Sequence, residues 1–129
     1  MVKDIAFTAY PAADVDALMA FYTDALGLRF GDPYSEDGVA KYAEAHVGNG
    51  YFSLMTPEWM EVAPGSAAGI VFEVGDIEGA LSHLSGKGVQ TEAIHDTPVC
   101  RLSSFHDPEG NKVTLHQATT AIRGNASGV

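Results

Sequence analysis

The chain has 129 residues, 46% of them hydrophobic, enough for one domain that buries about two thirds of its unfolded surface without a disulfide or structural metal. Seven Lys and Arg against seventeen Asp and Glu give a formal charge of −10, which argues against nucleic acid as a partner; an acidic surface that keeps the protein in solution accounts for it first, and a cationic small molecule is the second reading. Cys100 is the sole cysteine, Met1-Val2-Lys3-Asp4 carries no apolar signal core, and no run of about 18 apolar residues occurs, so a disulfide scaffold and a membrane span are not expected and a cytoplasmic location is.

A short β-rich run at Ile5–Ala9 leads to Asp14-Val-Asp-Ala-Leu-Met-Ala-Phe-Tyr22, an Asp-capped helix opening. Its Leu18, Phe21, Tyr22 and Ala25 recur at helical spacing on one face, and Gly27 ends it. Three strand candidates follow: Leu28–Gly31, Val39–Val47 and Tyr51–Met55, the last two joined by the Gly48-Asn49-Gly50 turn. Residues 57–68, with Pro64-Gly65-Ser66, read as a linker in which Trp59 and Met60 pack against a sheet or wall a ligand cleft. The pattern then repeats. Ile70–Val74 is β-rich, and Asp76-Ile-Glu-Gly-Ala-Leu-Ser-His-Leu84 is a second Asp-capped helix, with Ile77, Ala80, Leu81 and Leu84 on one face and Gly86 or Gly88 at its end. Val89–Ile94, Cys100–Phe105 and Lys112–Gln117 supply three more strand candidates.

The two helix openings lie 62 residues apart (76 − 14), so each half is β-α-β-β-β. One such unit cannot cover both faces of its sheet, so two must pack or pair. The expected fold class is α+β. Two βαβββ modules, about 1–56 and 69–117, are joined by the linker 57–68 in a single domain 1–117, and 118–129 form a loose tail.

Four motifs in order carry a family resemblance. Phe21-Tyr22-Thr-Asp-Ala-Leu26-Gly27-Leu28 ends the first helix, and Gly69-Ile-Val-Phe-Glu-Val-Gly-Asp76 opens the second half. Thr97-Pro-Val-Cys-Arg101 precedes a closing hairpin, Phe105–Gln117, whose turn is Asp107-Pro-Glu-Gly-Asn111. Together they resemble the glyoxalase/bleomycin-resistance/dioxygenase (vicinal oxygen chelate) superfamily over about residues 4 to 117. The resemblance implies curved sheets around a cleft, commonly in a homodimer.

It also implies four inward positions that hold a divalent ion in metal-dependent members, which place His, Glu or Gln there. The first lies fifteen residues before Tyr22, at Phe7; the repeat offset gives Gly69; the last strands give Ser53 and Thr114. Phenyl and glycine offer no lone pair, and two hydroxyls cannot hold Zn²⁺, Ni²⁺, Mn²⁺ or Fe²⁺ against water. No metal or other cofactor is therefore expected.

Strand alternation puts Glu73 on the face of Gly69 and His116 on that of Thr114, so Glu73 and His116 are candidates for an acid-base pair. Glu44 or His46 could complete a relocated metal site, and Tyr42 shares their face. Arg101 is one of only seven basic residues and sits on a strand expected to line the sheet. His83, His95 and His106 read as structural, and Cys100 as an inert thiol. The expected function is metal-independent binding of a cationic or aromatic small molecule by Phe7, Ser53, Glu73, Arg101, Thr114 and His116. The alternative is a lyase, isomerase or dioxygenase-type enzyme with a relocated metal or a Glu73/His116 acid-base pair.

Overall fold

The structure is a computed structural model and describes residues 1–119. It divides into two compact units, 1–68 with 107–112, and 69–106 with 113 onward.

The first unit contains β1 (Thr8–Pro11), α1 (Val15–Leu26), β2 (Tyr34–Glu36), β3 (Val39–Val47), β4 (Gly50–Met55) and the short α2 (Pro57–Met60). Its sheet runs β1-β4-β3-β2, with β1 parallel to β4 and the other pairs antiparallel. The Asp14 carboxylate caps α1 by accepting from the Ala17 amide, and Gly27 ends the helix at φ 71, a left-handed conformation that favours glycine. The helix buries Val15, Leu18, Tyr22 and Ala25, and the sheet buries Tyr10, Ala43, Ala45, Phe52 and Leu54. Tyr22 and Phe52 meet with ring centroids 5.0 Å apart.

The closing-hairpin turn belongs to this first unit and locks it. Asp107 Oδ1 accepts from the amides of Glu109 and Asn111, while Oδ2 accepts from the Tyr22 hydroxyl and the Asn111 amide group. Asn111 reaches the Pro11 carbonyl and accepts from the Ala67 amide. Glu109 accepts from the amides of Ala13 and Asp14, donors left open where α1 begins. The Asp-Pro-Glu-Gly-Asn motif is thus a clasp as well as a turn.

The second unit contains β5 (Val71–Glu73), α3 (Ile77–Gly86), β6 (His95–Asp96), β7 (Cys100–His106) and most of β8 (Lys112–Ala118), in the sheet order β5-β8-β7-β6. Asp76 caps α3 through the Gly79 amide, and the Gln117 side chain takes the Ile77 amide. Ile77, Leu84, Phe105, Val113 and Leu115 form its core. Each half is therefore α+β around a four-stranded mixed sheet.

Several element bounds differ from the sequence reading. The first strand begins at Thr8, not Ile5. Leu28–Gly31 forms only an isolated bridge, Phe30 to Ala45, and the edge strand is Tyr34–Glu36. Val89–Ile94 is not a strand; the Glu92 amide donates to Ser104, and the two-residue β6 follows. The segment read as linker carries α2. Of the expected tail, Ala118 completes β8 and the Thr119 amide donates to Val99, while 120–129 lie outside the described residues.

Candidate functional site

Alternation gives the first sheet two unlike faces. The face toward α1 is apolar. On the other, register sets Ala9, Ser53 and Glu44 in one row across three strands, with Met55, Tyr42 and Tyr34 in the next. Phe7, just before β1, and Tyr42 meet edge to face with centroids 5.7 Å apart, and the Ser53 row lies between them.

Ser53 is fully buried. Its Oγ is the buried side-chain polar atom left without a hydrogen-bond partner among the described residues. It stands close enough to the Tyr42 phenol to lower its pKa, yet not in hydrogen-bonding geometry; burial and the Glu44 carboxylate prevail and hold that pKa above its ordinary value. Tyr42 donates to Glu44 Oε1 at 2.6 Å. Tyr34 donates to Glu36 Oε2 at 2.9 Å, and this bond raises its pKa too. Beside Tyr34, Trp59 from α2 lies at 6.1 Å between ring centroids, and both rings are about half exposed. His46 and Tyr51 pair further along the sheet at 4.9 Å. Sequence reasoning missed Tyr34 because it placed the edge strand earlier; the signal was the repeated Tyr-x-Glu spacing at 34–36 and 42–44.

In the second unit, β5 and β8 run parallel with Val71 opposite Thr114 and Glu73 opposite His116. Glu73 Oε1 lies 2.5 Å from His116 Nδ1, and Oε2 accepts from the Ala118 amide. With Nδ1 held by the carboxylate, the imidazole directs Nε2 outward, an arrangement able to move a proton. Their side chains are 57% and 23% exposed, so neither is a buried, unpaired charge.

Thr114 shares a 2.8 Å hydroxyl contact with Ser104 of β7. By alternation Arg101 takes the opposite face of β7, where it meets Asp96 at 2.8 Å and Glu78 of α3 at 3.7 Å. The structure therefore groups Glu73, Thr114 and His116 on one side of the second sheet and separates Arg101 from them. Its guanidinium pKa is raised chiefly by the Asp96 bond. Cys100 is buried with its Sγ 3.1 Å from the Thr97 hydroxyl.

The residues at the four family metal positions do not fit a divalent ion. Phe7 and Gly69 have no donor, the Ser53 hydroxyl is buried beside an aromatic pair, and the Thr114 hydroxyl is engaged by Ser104. Among the described residues no three His, Cys, Asp or Glu side chains gather at ion-binding distance.

Known proteins are similar to this chain in sequence and in fold. The chain is 28% identical over 127 residues to the uncharacterized protein YwkD of Bacillus subtilis (strain 168), covering 91% of this chain and 98% of that protein. Its fold matches TnmS3, an antibiotic binding protein from Streptomyces sp. CB03234, with TM-score 0.80 at 20% identity over 92% of this chain and 98% of that one. It also matches lactoylglutathione lyase from Agrobacterium tumefaciens, with TM-score 0.73 at 22% identity over 91% and 95%. The model of the Glyoxalase/Bleomycin resistance protein/Dioxygenase superfamily matches residues 4–115, and with the duplicated modules and their closing clasp it establishes that the chain belongs to that superfamily.

Proposed function

We propose that this protein is a metal-independent small-molecule-binding protein whose ligand lies on the open face of the first sheet, against Phe7, Tyr42 and Ser53. The observation that carries this reading is Ser53: a fully buried hydroxyl without a partner, flanked by an edge-to-face aromatic pair. An unmet buried polar group costs about 1–3 kcal/mol, and an aromatic pair contributes about 0.5–1.5 kcal/mol. A ligand that moves the pair and bonds Ser53 therefore recovers an energy of the same order as the one it disrupts. The antibiotic-binding role of TnmS3 is compatible with this use of the fold. Glu73, Thr114 and His116 are the corresponding candidates in the second unit; Arg101, tied to two carboxylates, is the weakest of the set.

A thermal-shift panel of aromatic antibiotics and amines tests the proposal. At least one compound should raise the melting temperature of the wild type and lose that effect in both Phe7→Ala and Ser53→Ala. A response that survives both substitutions places the ligand elsewhere. We also expect a cytoplasmic homodimer, which light scattering checks for assembly.

The carboxylate-imidazole pair supports a second reading, an enzyme of the lyase or isomerase kind in which Glu73 orients His116 for proton transfer. Turnover of any carbonyl substrate that vanishes in His116→Ala with ligand binding intact would favour it.

A further inference from the structure

Ser53 is 0% exposed although it stands on the sheet face turned away from α1, so side chains of that same face must cover it. Tyr51 and Met55, its neighbours on β4, are partly exposed, and Glu44 across the ladder is exposed. The cover comes from Phe7 and Tyr42, whose rings meet edge to face across the Ser53 row.

Phe7 belongs to a segment that the sheet does not hold. The ladder of β1 begins at Thr8, opposite Phe52, and residues 1–7 lie outside it, each of them exposed. Val2 is 90% and Ile5 78% exposed, so this arm has no apolar anchor before Phe7, which is itself 40% exposed. Among the described residues its one hydrogen bond is internal, from the Ile5 amide to the Asp4 carboxylate, and its one ring contact is Phe7 on Tyr42. Segments with few buried apolar contacts and few hydrogen bonds open at the lowest cost, and a single edge-to-face pair is a modest hold. Opening also lets water reach the unpartnered Ser53 hydroxyl, which offsets part of the lost ring contact.

We propose that residues 1–7 are a gate over Ser53, latched by Phe7 on Tyr42 and hinged at Thr8, where the ladder begins. The arm lifts and closes in the free protein; a ligand enters when it is raised and is then covered by Phe7, which serves as both latch and contact. This rests on the reading of the same sheet face as a small-molecule site and adds how entry to it is controlled.

Thiol labelling tests the gate without any ligand. In the full chain carrying Cys100→Ser, the thiol introduced by Ser53→Cys is followed with N-ethylmaleimide, and Ala45→Cys, buried on the helix-facing side of the same sheet, is the control. Ala43→Cys, buried on that same side, replaces the control if it does not fold. Adding Phe7→Ala should speed labelling at position 53 by about tenfold and leave the control within about twofold. Phe7→Tyr, which keeps the ring, should retain the slow rate. Equal acceleration at both positions would mean that the substitution only loosens the whole unit, and no acceleration would mean that Phe7 does not cover Ser53. A rate at position 53 that falls as protein concentration rises would place the arm against a second copy. Each of these three results overturns the gate while leaving the small-molecule reading in place; a thermal-shift panel without any response removes that reading and leaves the labelling contrast standing.

Discussion

The Tyr22 phenol donates to the Asp107 carboxylate at 2.7 Å in the buried interior of the first unit, across 85 residues of chain. This one bond joins the aromatic pair that ends the first helix to the turn of the closing hairpin, so the two most recognisable motifs of the sequence are physical partners. Asp107 also accepts from the backbone amide and the side-chain amide group of Asn111 and from the Glu109 amide. Hydrogen bonds to charged groups contribute about 1.5–3 kcal/mol each. Tyr22→Phe should therefore cost about 2 kcal/mol in urea unfolding, and Asp107→Ala more, because it leaves several donors unmet at once. Equal costs for the two variants would show that the clasp does not act as a network.

Tyr22 also sets the alkaline limit of stability. Burial first, and Asp107 second, raise its pKa far above the ordinary 10.0. The folded chain keeps this proton at pH values where the unfolded chain releases it, so its contribution is full below 10.0 and falls as pH rises beyond it. Each pH unit removes about 1.4 kcal/mol for one retained proton. Urea unfolding across this range should show a shallower decline in Tyr22→Phe than in wild type, and parallel declines would contradict the assignment.

Gly65 marks where the segment between the modules meets the clasp. Its φ is +83, and a Cβ there would stand 2.5 Å from the Glu109 carbonyl oxygen, a backbone atom that cannot swing away. Gly65→Ala should destabilise by about 2 kcal/mol or more. Gly69→Ala, whose added Cβ meets nothing within 4 Å, should stay within about 0.5 kcal/mol of wild type. The contrast separates a steric requirement from general loss of glycine.

The Asp14 and Asp76 caps, the apolar helix faces and Gly27 are local signals, and each helix lies where they place it. β3, β4, β7 and β8 also follow their alternation. The misread strands are edges: β2 is exposed throughout and β6 has two exposed residues, so neither carries a burial pattern to read. For the same reason Tyr34 escaped notice, although Tyr42, Glu44 and Trp59 did not. The Glu73 and His116 pair was legible as shared faces, but only the parallel register of β5 and β8 sets them opposite each other. That register is long-range and leaves no local trace.

That pair should matter little to folding. Glu73 is more than half exposed, and pairs so solvated contribute about 0–1 kcal/mol. Glu73→Gln and His116→Ala should each leave the urea midpoint nearly unchanged, which makes them clean probes of ligand response or turnover. A loss well above 1 kcal/mol would assign the pair to holding the end of β8, where Glu73 also binds the Ala118 amide.

Metal titration addresses the chemistry that the hairpin motif would ordinarily suggest. Two of the four equivalent positions, Phe7 and Gly69, have no donor atom, and the hydroxyl of Thr114 is already engaged by Ser104. A hydroxyl competes poorly with water for a divalent ion unless imidazole or carboxylate ligands fix the ion first. Calorimetry with Ni²⁺, Zn²⁺, Mn²⁺ and Fe²⁺ should therefore detect no stoichiometric site, and protein purified without chelator should carry no bound metal by elemental analysis. Thr114→Glu alone should not create a site, because it supplies one carboxylate where a stable centre needs three or four ligands. One tightly held ion per chain in the wild type would mean that other side chains have taken over the role, and the metal-independent reading would fall with it.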